Sequence, residues 1–192
     1  MRSTKDAIGQ IFNGVNGKKE AWVLEGDLKG FFDNIKTEAI IESQVIAEDE
    51  EIKATLKNGV KSGAITVNPE KIETEIGTPP GGVISPRLAN IAFTGMETMR
   101  DNWVWENRKR TGQKQKRNKR AQTIVYADDL VVIAKERWII EELKEVISDW
   151  CLEKMGVELS QEKTRITNIE KGLVFLGCNI RKYKVNDTQK IT

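Results

Sequence analysis

Histidine is absent from all 192 residues. That removes His-based triads, imidazole acid–base catalysis and His-ligated metals together, so any catalysis must run on carboxylates, lysines or hydroxyls. Cysteine is nearly as scarce. Cys151 and Cys178 stand without CxxC spacing, which argues against both a disulfide scaffold and a zinc site. Long apolar runs are missing too: the longest strongly apolar stretch near the centre is Leu130 to Ala134. A membrane span needs about 18 such residues. Nor does Met1-Arg2-Ser3-Thr4-Lys5-Asp6 open a signal peptide, because it leads straight into mixed polar sequence. The expectation is a cytoplasmic chain with no membrane partner.

What is present fits one folded domain. Hydrophobic residues make up 39% and charged ones 31%, enough apolar content for a core at this length. The formal charge of +2 conceals a segregation. Residues 107–120 read NRKRTGQKQKRNKR, with eight bases (Arg108, Lys109, Arg110, Lys114, Lys116, Arg117, Lys119 and Arg120) and no acid. The other 23 bases face 29 acids, a net of −6 for the rest of the chain. Such a block is ordinarily a solvated loop. Basic clusters of this density also mark nucleic-acid contacts, and that reading is the one carried forward.

Periodicity supplies a coarse map. Residues 21–25 (AWVLE) form a buried strand ending at Gly26-Asp27. Thr37 caps a helix with Ile40, Ile41, Val45 and Ile46 on one face, and a second helix over Glu50–Lys57 stops at Asn58-Gly59. Residues 60–76 read as loop with room for a strand or two, and Gly77–Gly82 (GTPPGG) is barred from regular structure by its prolines and glycines. Ser85-Pro86 starts a helix that carries Leu88, Ile91, Ala92, Met96, Met99 and Trp103 at helical spacing. Two strand-like runs, 123–126 and 130–134, flank Ala127-Asp128-Asp129 as a hairpin with acids at its tip. A long amphipathic helix follows from Glu136 to Met155, its stripe at Ile139, Leu143, Val146, Ile147 and Trp150, closed by Gly156. Strand-like pieces near 157–159, 163–167 and 174–180 end the map. The order predicts an α+β fold, an antiparallel sheet of ferredoxin-like type with helices packed on one face.

An isolated Asp-Asp pair is ordinarily a polar turn. Here apolar strands flank Asp128 and Asp129 on both sides, which holds their carboxylates rigidly at the edge of a core. Asp27 ends another apolar strand 101 residues upstream of Asp128. If the two elements are neighbours in one sheet, the three acids converge. Three carboxylates without histidine suit a hard, oxygen-liking cation such as Mg²⁺, and a pair of such ions suits in-line phosphoryl displacement. Acids and basic block together point to nucleotidyl transfer on nucleic acid.

At these residues the chain resembles the reverse transcriptases of group II intron and retron type. Residues 25–35 (EGDLKGFFDNI) look like that family's first catalytic block, and Gly77–Asn90 (GTPPGGVISPRLAN) is similar to its Gly-rich block and following helix. Tyr126-Ala127-Asp128-Asp129 matches its metal-binding hairpin, while residues 159–164 (LSQEKT) and 175–177 (FLG) resemble its last two palm blocks. Five blocks in family order cover almost the whole chain.

The resemblance implies a polymerase palm over residues 1–192 with a basic insert at 107–120. It implies that Asp27, Asp128 and Asp129 are catalytic and hold two Mg²⁺ ions, with Mn²⁺ as an alternative, and that the Leu28 carbonyl is a further ligand. Phe32 would be the aromatic gate against a ribose 2′-hydroxyl. Gly81 and Gly82 would admit the incoming nucleotide to the backbone, and Lys163 would neutralise the departing pyrophosphate. The implied partners are an RNA template, a DNA primer, deoxynucleoside triphosphates and intron RNA. Of Phe31 and Phe32, one must pack inside, since successive strand residues face opposite ways.

Two departures stand out. The family usually has glutamine where this chain has Pro80, which offers neither a side-chain donor nor a backbone N–H. The N-terminus resembles the middle of a block, so that the fingers would be missing. The chain stops fifteen residues after Gly177, before a thumb or maturase region. A second expectation therefore stands beside the polymerase: a truncated intron-encoded protein acting as an RNA-binding, maturase-like module. An RNA-dependent RNA polymerase would share the acids, and Phe32 argues against it.

Overall fold

A computed structural model describes residues 3–16, 20–31, 35–36, 50–51, 53–54, 58, 85–111, 120–185 and 188–191. Four antiparallel strands form its main sheet in the order β2-β3-β1-β4. They are β1 (Trp22–Asp27), β2 (Ala121–Tyr126), β3 (Asp129–Ala134) and β4 (Arg165–Asn168). Leu130 to Ala134 on β3 are each at most 1% exposed, because β3 is central and covered on both faces. A continuous apolar run is the sequence mark of such a strand.

Each face of the sheet has its own core. Leu24, Leu130, Val132 and Ala134 meet three helices: α2 (Ser85–Ala92), α3 (Met96–Glu106) and α5 (Arg137–Met155). The alternate residues Val23, Ile124, Val131 and Ile133 meet α1 (Thr4–Val15) through Ala7, Ile11 and Val15. The expectation of helices on one face is thereby corrected: they lie on both. A strand buried on both sides must find apolar partners for both sets of side chains, and α1 supplies the second set.

Local chemistry explains the helix ends. Ser3 caps α1 reciprocally with Asp6: the Asp6 amide donates to Ser3 Oγ at 3.3 Å and the Ser3 amide to Asp6 Oδ2 at 2.8 Å. Gly156 ends α5 in the left-handed region, φ +73°, with its amide donating to the Cys151 and Leu152 carbonyls. The buried stripe of α5 comprises Ile139, Ile140, Leu143, Ile147, Cys151 and Met155, while Val146 and Trp150 are only half-buried at its margin. Ser85 does open a helix, but the continuous helix expected from there to Trp103 is broken at Phe93-Thr94-Gly95, where Gly95 takes φ +100°. That angle ends α2 and redirects the chain into α3, yet Met96, Met99 and Trp103 still pack on the same core.

The final stretch also differs from expectation. Residues 174–180 are not one strand but a hairpin of β5 (Leu173–Phe175) and β6 (Cys178–Ile180). Its turn residues Leu176 and Gly177 both have positive φ, as a tight two-residue turn requires. A second hairpin, β7 (Lys182–Val185) with β8 (Thr188–Ile191), follows and had no sequence signal. Of the helix over Glu50–Lys57, residues 50, 51, 53 and 54 are described and helical. The helix from Thr37, the loop over 60–76 and the Gly77–Gly82 stretch lie outside the described residues.

Candidate active site

The acids converge where β1 ends and the β2–β3 hairpin turns. Asp27 is the register partner of Asp129, and Asp129 is in turn opposite Tyr126 on β2. Opposed residues on paired strands project from the same face, their Cβ atoms about 4.5–5.5 Å apart. The hairpin turn is only two residues, Ala127 and Asp128, with Ala127 at φ +54°. Asp129 is therefore the first residue of β3 rather than part of the tip. The Tyr126–Asp129 pair extends the ladder one step further than an apolar-run reading allows. Tyr126 also ties the hairpin to α1, its hydroxyl accepting from Thr4 Oγ1 at 3.2 Å.

Gly26 faces the other way. A side chain there would come within 3.3 Å of Leu130 and 3.4 Å of Leu159, which pack on the sheet face opposite the acids. Leu28 makes a bridge to Leu159. The bonds flanking it run from the Ser160 amide to the Asp27 carbonyl (2.7 Å) and from the Lys29 amide to the Glu158 carbonyl (2.9 Å). In this antiparallel pattern the N–H and C=O of Leu28 itself face away from Leu159, toward the hairpin turn.

Electrostatically the site is under load. Burial pushes the Asp129 carboxyl above the usual aspartate range, and the neighbouring charges of Asp128 and then Asp27 push it further. Lys163 Nζ stands 3.4 Å from Asp27 Oδ2 and offsets part of that charge. Among the described residues no three acids, cysteines or histidines group as a ready-made cage. Mg²⁺ does not need one, since it is usually held by one or two carboxylates and keeps waters and substrate oxygens for the rest. Opposed, mutually repelling carboxylates beside a free-facing carbonyl fit such an ion.

Other candidates are distributed differently. Phe31 is the inward phenylalanine, 3% exposed and stacked on Phe93 with ring centroids 5.4 Å apart. Phe32, Gly81 and Gly82 lie outside the described residues, as do Lys114, Lys116, Arg117 and Lys119. The described ends of the basic block are not uniformly free. Arg110, on the short helix α4 (Arg108–Thr111), donates from Nη1 to Glu142 at 3.1 Å and from Nη2 to its other oxygen. Its guanidinium lies over Trp138 at 4.7 Å, and that of Arg108 over Trp105 at 4.8 Å. Lys109 is exposed, and Arg120 is half-buried.

The described part of the block does not adjoin the acids. Ala121, just after it, pairs with Ala134, five residues along β3 from Asp129, about 17 Å at strand rise. An open cavity of about 460 Å³, lined by Glu20, Trp22, Lys135, Glu136 and Arg137, also lies at that remote end. Two contacts had no sequence signal. Ser160 lies within the LSQEKT block and Thr4 near the N-terminus, but their bonds to Asp27 and Tyr126 are visible only in three dimensions.

Comparisons with known proteins give the chain a family and a fold. Residues 1–180 match the family described as reverse transcriptase (RNA-dependent DNA polymerase). Protein YkfC of Escherichia coli is 29% identical over 175 residues, covering 81% of this chain and 46% of that protein. The group II intron-encoded protein LtrA of Lactococcus lactis subsp. cremoris is 28% identical over 234 residues, 94% of this chain and 38% of its own length. The chain thus spans less than half the length of these relatives. Among solved structures, a truncated apo telomerase from Candida tropicalis superposes with a TM-score of 0.63 at 18% identity, over 94% of this chain and 39% of that one. That likeness speaks for the fold. Among the described residues no helix is long and apolar enough to cross a membrane.

Proposed function

From the chain's membership of the reverse transcriptase family, to which it belongs over residues 1–180, we propose that it is the palm of an RNA-directed DNA polymerase of group II intron type. The observation that carries the reading is the opposition of Asp27 and Asp129 at the end of the β1–β3 ladder, with Asp128 beside them in the turn. A sheet ordered β2-β3-β1-β4, with helical crossovers between β1 and β2 and between β3 and β4, supports a ferredoxin-like palm.

In this reading Asp27, Asp128, Asp129 and the Leu28 carbonyl hold two Mg²⁺ ions, or Mn²⁺ in their place. When bound, such ions supply charge neutralisation and a lowered hydroxyl pKa for in-line displacement at a phosphate. The chain's own residues do the rest. The three carboxylates would fix where the ions, and with them a primer 3′-hydroxyl and an α-phosphate, can sit. Phe32 closes on the sugar and excludes a 2′-hydroxyl. Gly81 and Gly82 let the triphosphate lie close to the backbone. Lys163 meets the departing pyrophosphate, and the basic block (Arg108, Lys109, Lys114, Lys116, Arg117, Lys119 and Arg120) takes RNA phosphates. An RNA template, a DNA primer and intron RNA are the partners.

Pro80 favours a second reading, an RNA-binding module of an intron-encoded protein with impaired catalysis, because proline cannot offer the contacts of the family's glutamine. Primer extension by this chain on an RNA template, with Mg²⁺ and deoxynucleotides, separates the two. Extended product supports the polymerase. No product, with salt-sensitive RNA binding retained, supports the binding module.

A further inference from the structure

We infer that Lys163 is a built-in counter-cation for Asp27, occupying the carboxylate that a divalent ion takes and setting the affinity of the site for that ion. The inference rests on the reading of Asp27 as a metal ligand.

Lys163 does not reach Asp27 by accident of a long side chain. The segment that carries it is fastened to the same residue: the Ser160 amide donates to the Asp27 carbonyl at 2.7 Å, and Ser160 is 6% exposed. One helical turn follows. The Thr164 amide donates to the Ser160 carbonyl at 2.8 Å, and the Lys163 amide to Ser160 Oγ at 3.4 Å. That turn presents Nζ 3.4 Å from Asp27 Oδ2. The neighbouring Lys29 is directed elsewhere, pairing with Glu158 at 3.3 Å. Among the ion pairs of the described residues, that of Lys163 is the one that reaches the site's acids.

The opposed carboxylates of Asp27 and Asp129 repel each other, and in the metal-free chain one ammonium shields one of them. A dication that engages Asp27 repels that ammonium and must displace it. With the Lys163 side chain 71% exposed, release into solvent is inexpensive, so the pair tunes affinity without blocking the site. Once released, the ammonium is free to meet an anionic phosphate arriving at the same acids.

Mn²⁺ titration of the metal-free chain, followed by the electron paramagnetic resonance signal of free Mn²⁺, tests this without any turnover. Lys163→Met is expected to tighten Mn²⁺ about two- to five-fold, the worth of an exposed ion pair. Lys163→Arg keeps the charge and should retain wild-type affinity. Lys29→Met, which neutralises a lysine paired with Glu158, should leave affinity at the wild-type value. A Lys163→Met chain that binds no tighter than Lys29→Met overturns the counter-cation role. If binding is then still lost in Asp27→Asn, the metal site itself stands. Absence of Mn²⁺ binding from both wild type and Lys163→Met overturns both readings, since removing the competitor should have exposed the site.

Discussion

Asp27 and Asp129 sit directly opposite one another on neighbouring antiparallel strands, two like charges in a position where sheets ordinarily place a favourable pair. Like charges so placed are destabilising. Asp129→Asn removes one charge and keeps the shape. In EDTA it should raise the melting temperature by roughly 1–3 °C, the scale of one cross-strand charge pair in a domain of this size. Mg²⁺ should narrow the difference, because an ion that binds only the folded wild type stabilises it selectively. Thermal melts with and without Mg²⁺ decide it, and a lower melting temperature for the variant in EDTA would contradict the account.

The seat of α1 on the sheet depends on Gly14. A Cβ there would lie 2.7 Å from Gln122 Oε1 and 2.9 Å from Ile133 Cδ1. Alanine normally gains about 1 kcal/mol over glycine within a helix. Here overpacking against a buried isoleucine of the central strand should outweigh that gain. Gly14→Ala is expected to destabilise by about 1–2 kcal/mol net in urea unfolding.

Within the basic block, Arg110 and Lys109 should separate cleanly. Arg110 is engaged by Glu142 and Trp138, so Arg110→Ala should lower the melting temperature measurably and change RNA affinity little. Lys109 is exposed on the same turn. Lys109→Ala should leave the melting temperature unchanged and reduce the slope of log K against log salt by about 1. Filter binding across a salt series reads both variants. An unchanged slope for Lys109→Ala would return that residue to the solvated surface.

The two thiols should differ sharply in reactivity. Burial pushes the Cys151 thiol up to about 12, and its side chain is inaccessible between α5 and the sheet, whereas Cys178 is exposed. The thiolate is the nucleophile, so iodoacetamide at pH 8 should modify Cys178 and spare Cys151 until the protein is unfolded. Peptide mass mapping of native and urea-treated chains checks this.

Much of the site was legible because its parts are local. An apolar run ending in an acid, and a hairpin with acids at its turn, are patterns of period two that propensity and burial enforce together. The opposition of Asp27 to Asp129 was foreseeable only as a condition, that β1 and β3 be neighbours, because strand order is a tertiary property. The break at Gly95 was missed since Met96, Met99 and Trp103 keep helical spacing across it. The second face of the sheet was missed for a different reason. Val131 and Ile133 read as one apolar run with Leu130 and Val132, and a run buried on both sides does not say which element covers which side. Contacts that hold the site through backbone atoms, such as the Ser160 amide on the Asp27 carbonyl, leave no trace in residue identity.

The proposed nucleotidyl transfer rests on Asp27, Asp129 and the turn residue Asp128, and Asp128→Asn and Asp27→Asn test it most directly in primer extension on an RNA template with Mg²⁺ and deoxynucleotides. Each should reduce extension by at least about 100-fold, the scale on which loss of an electrostatic catalytic group is felt, while still unfolding in one cooperative melt in EDTA. Extension that persists at the wild-type rate in both variants would contradict the account.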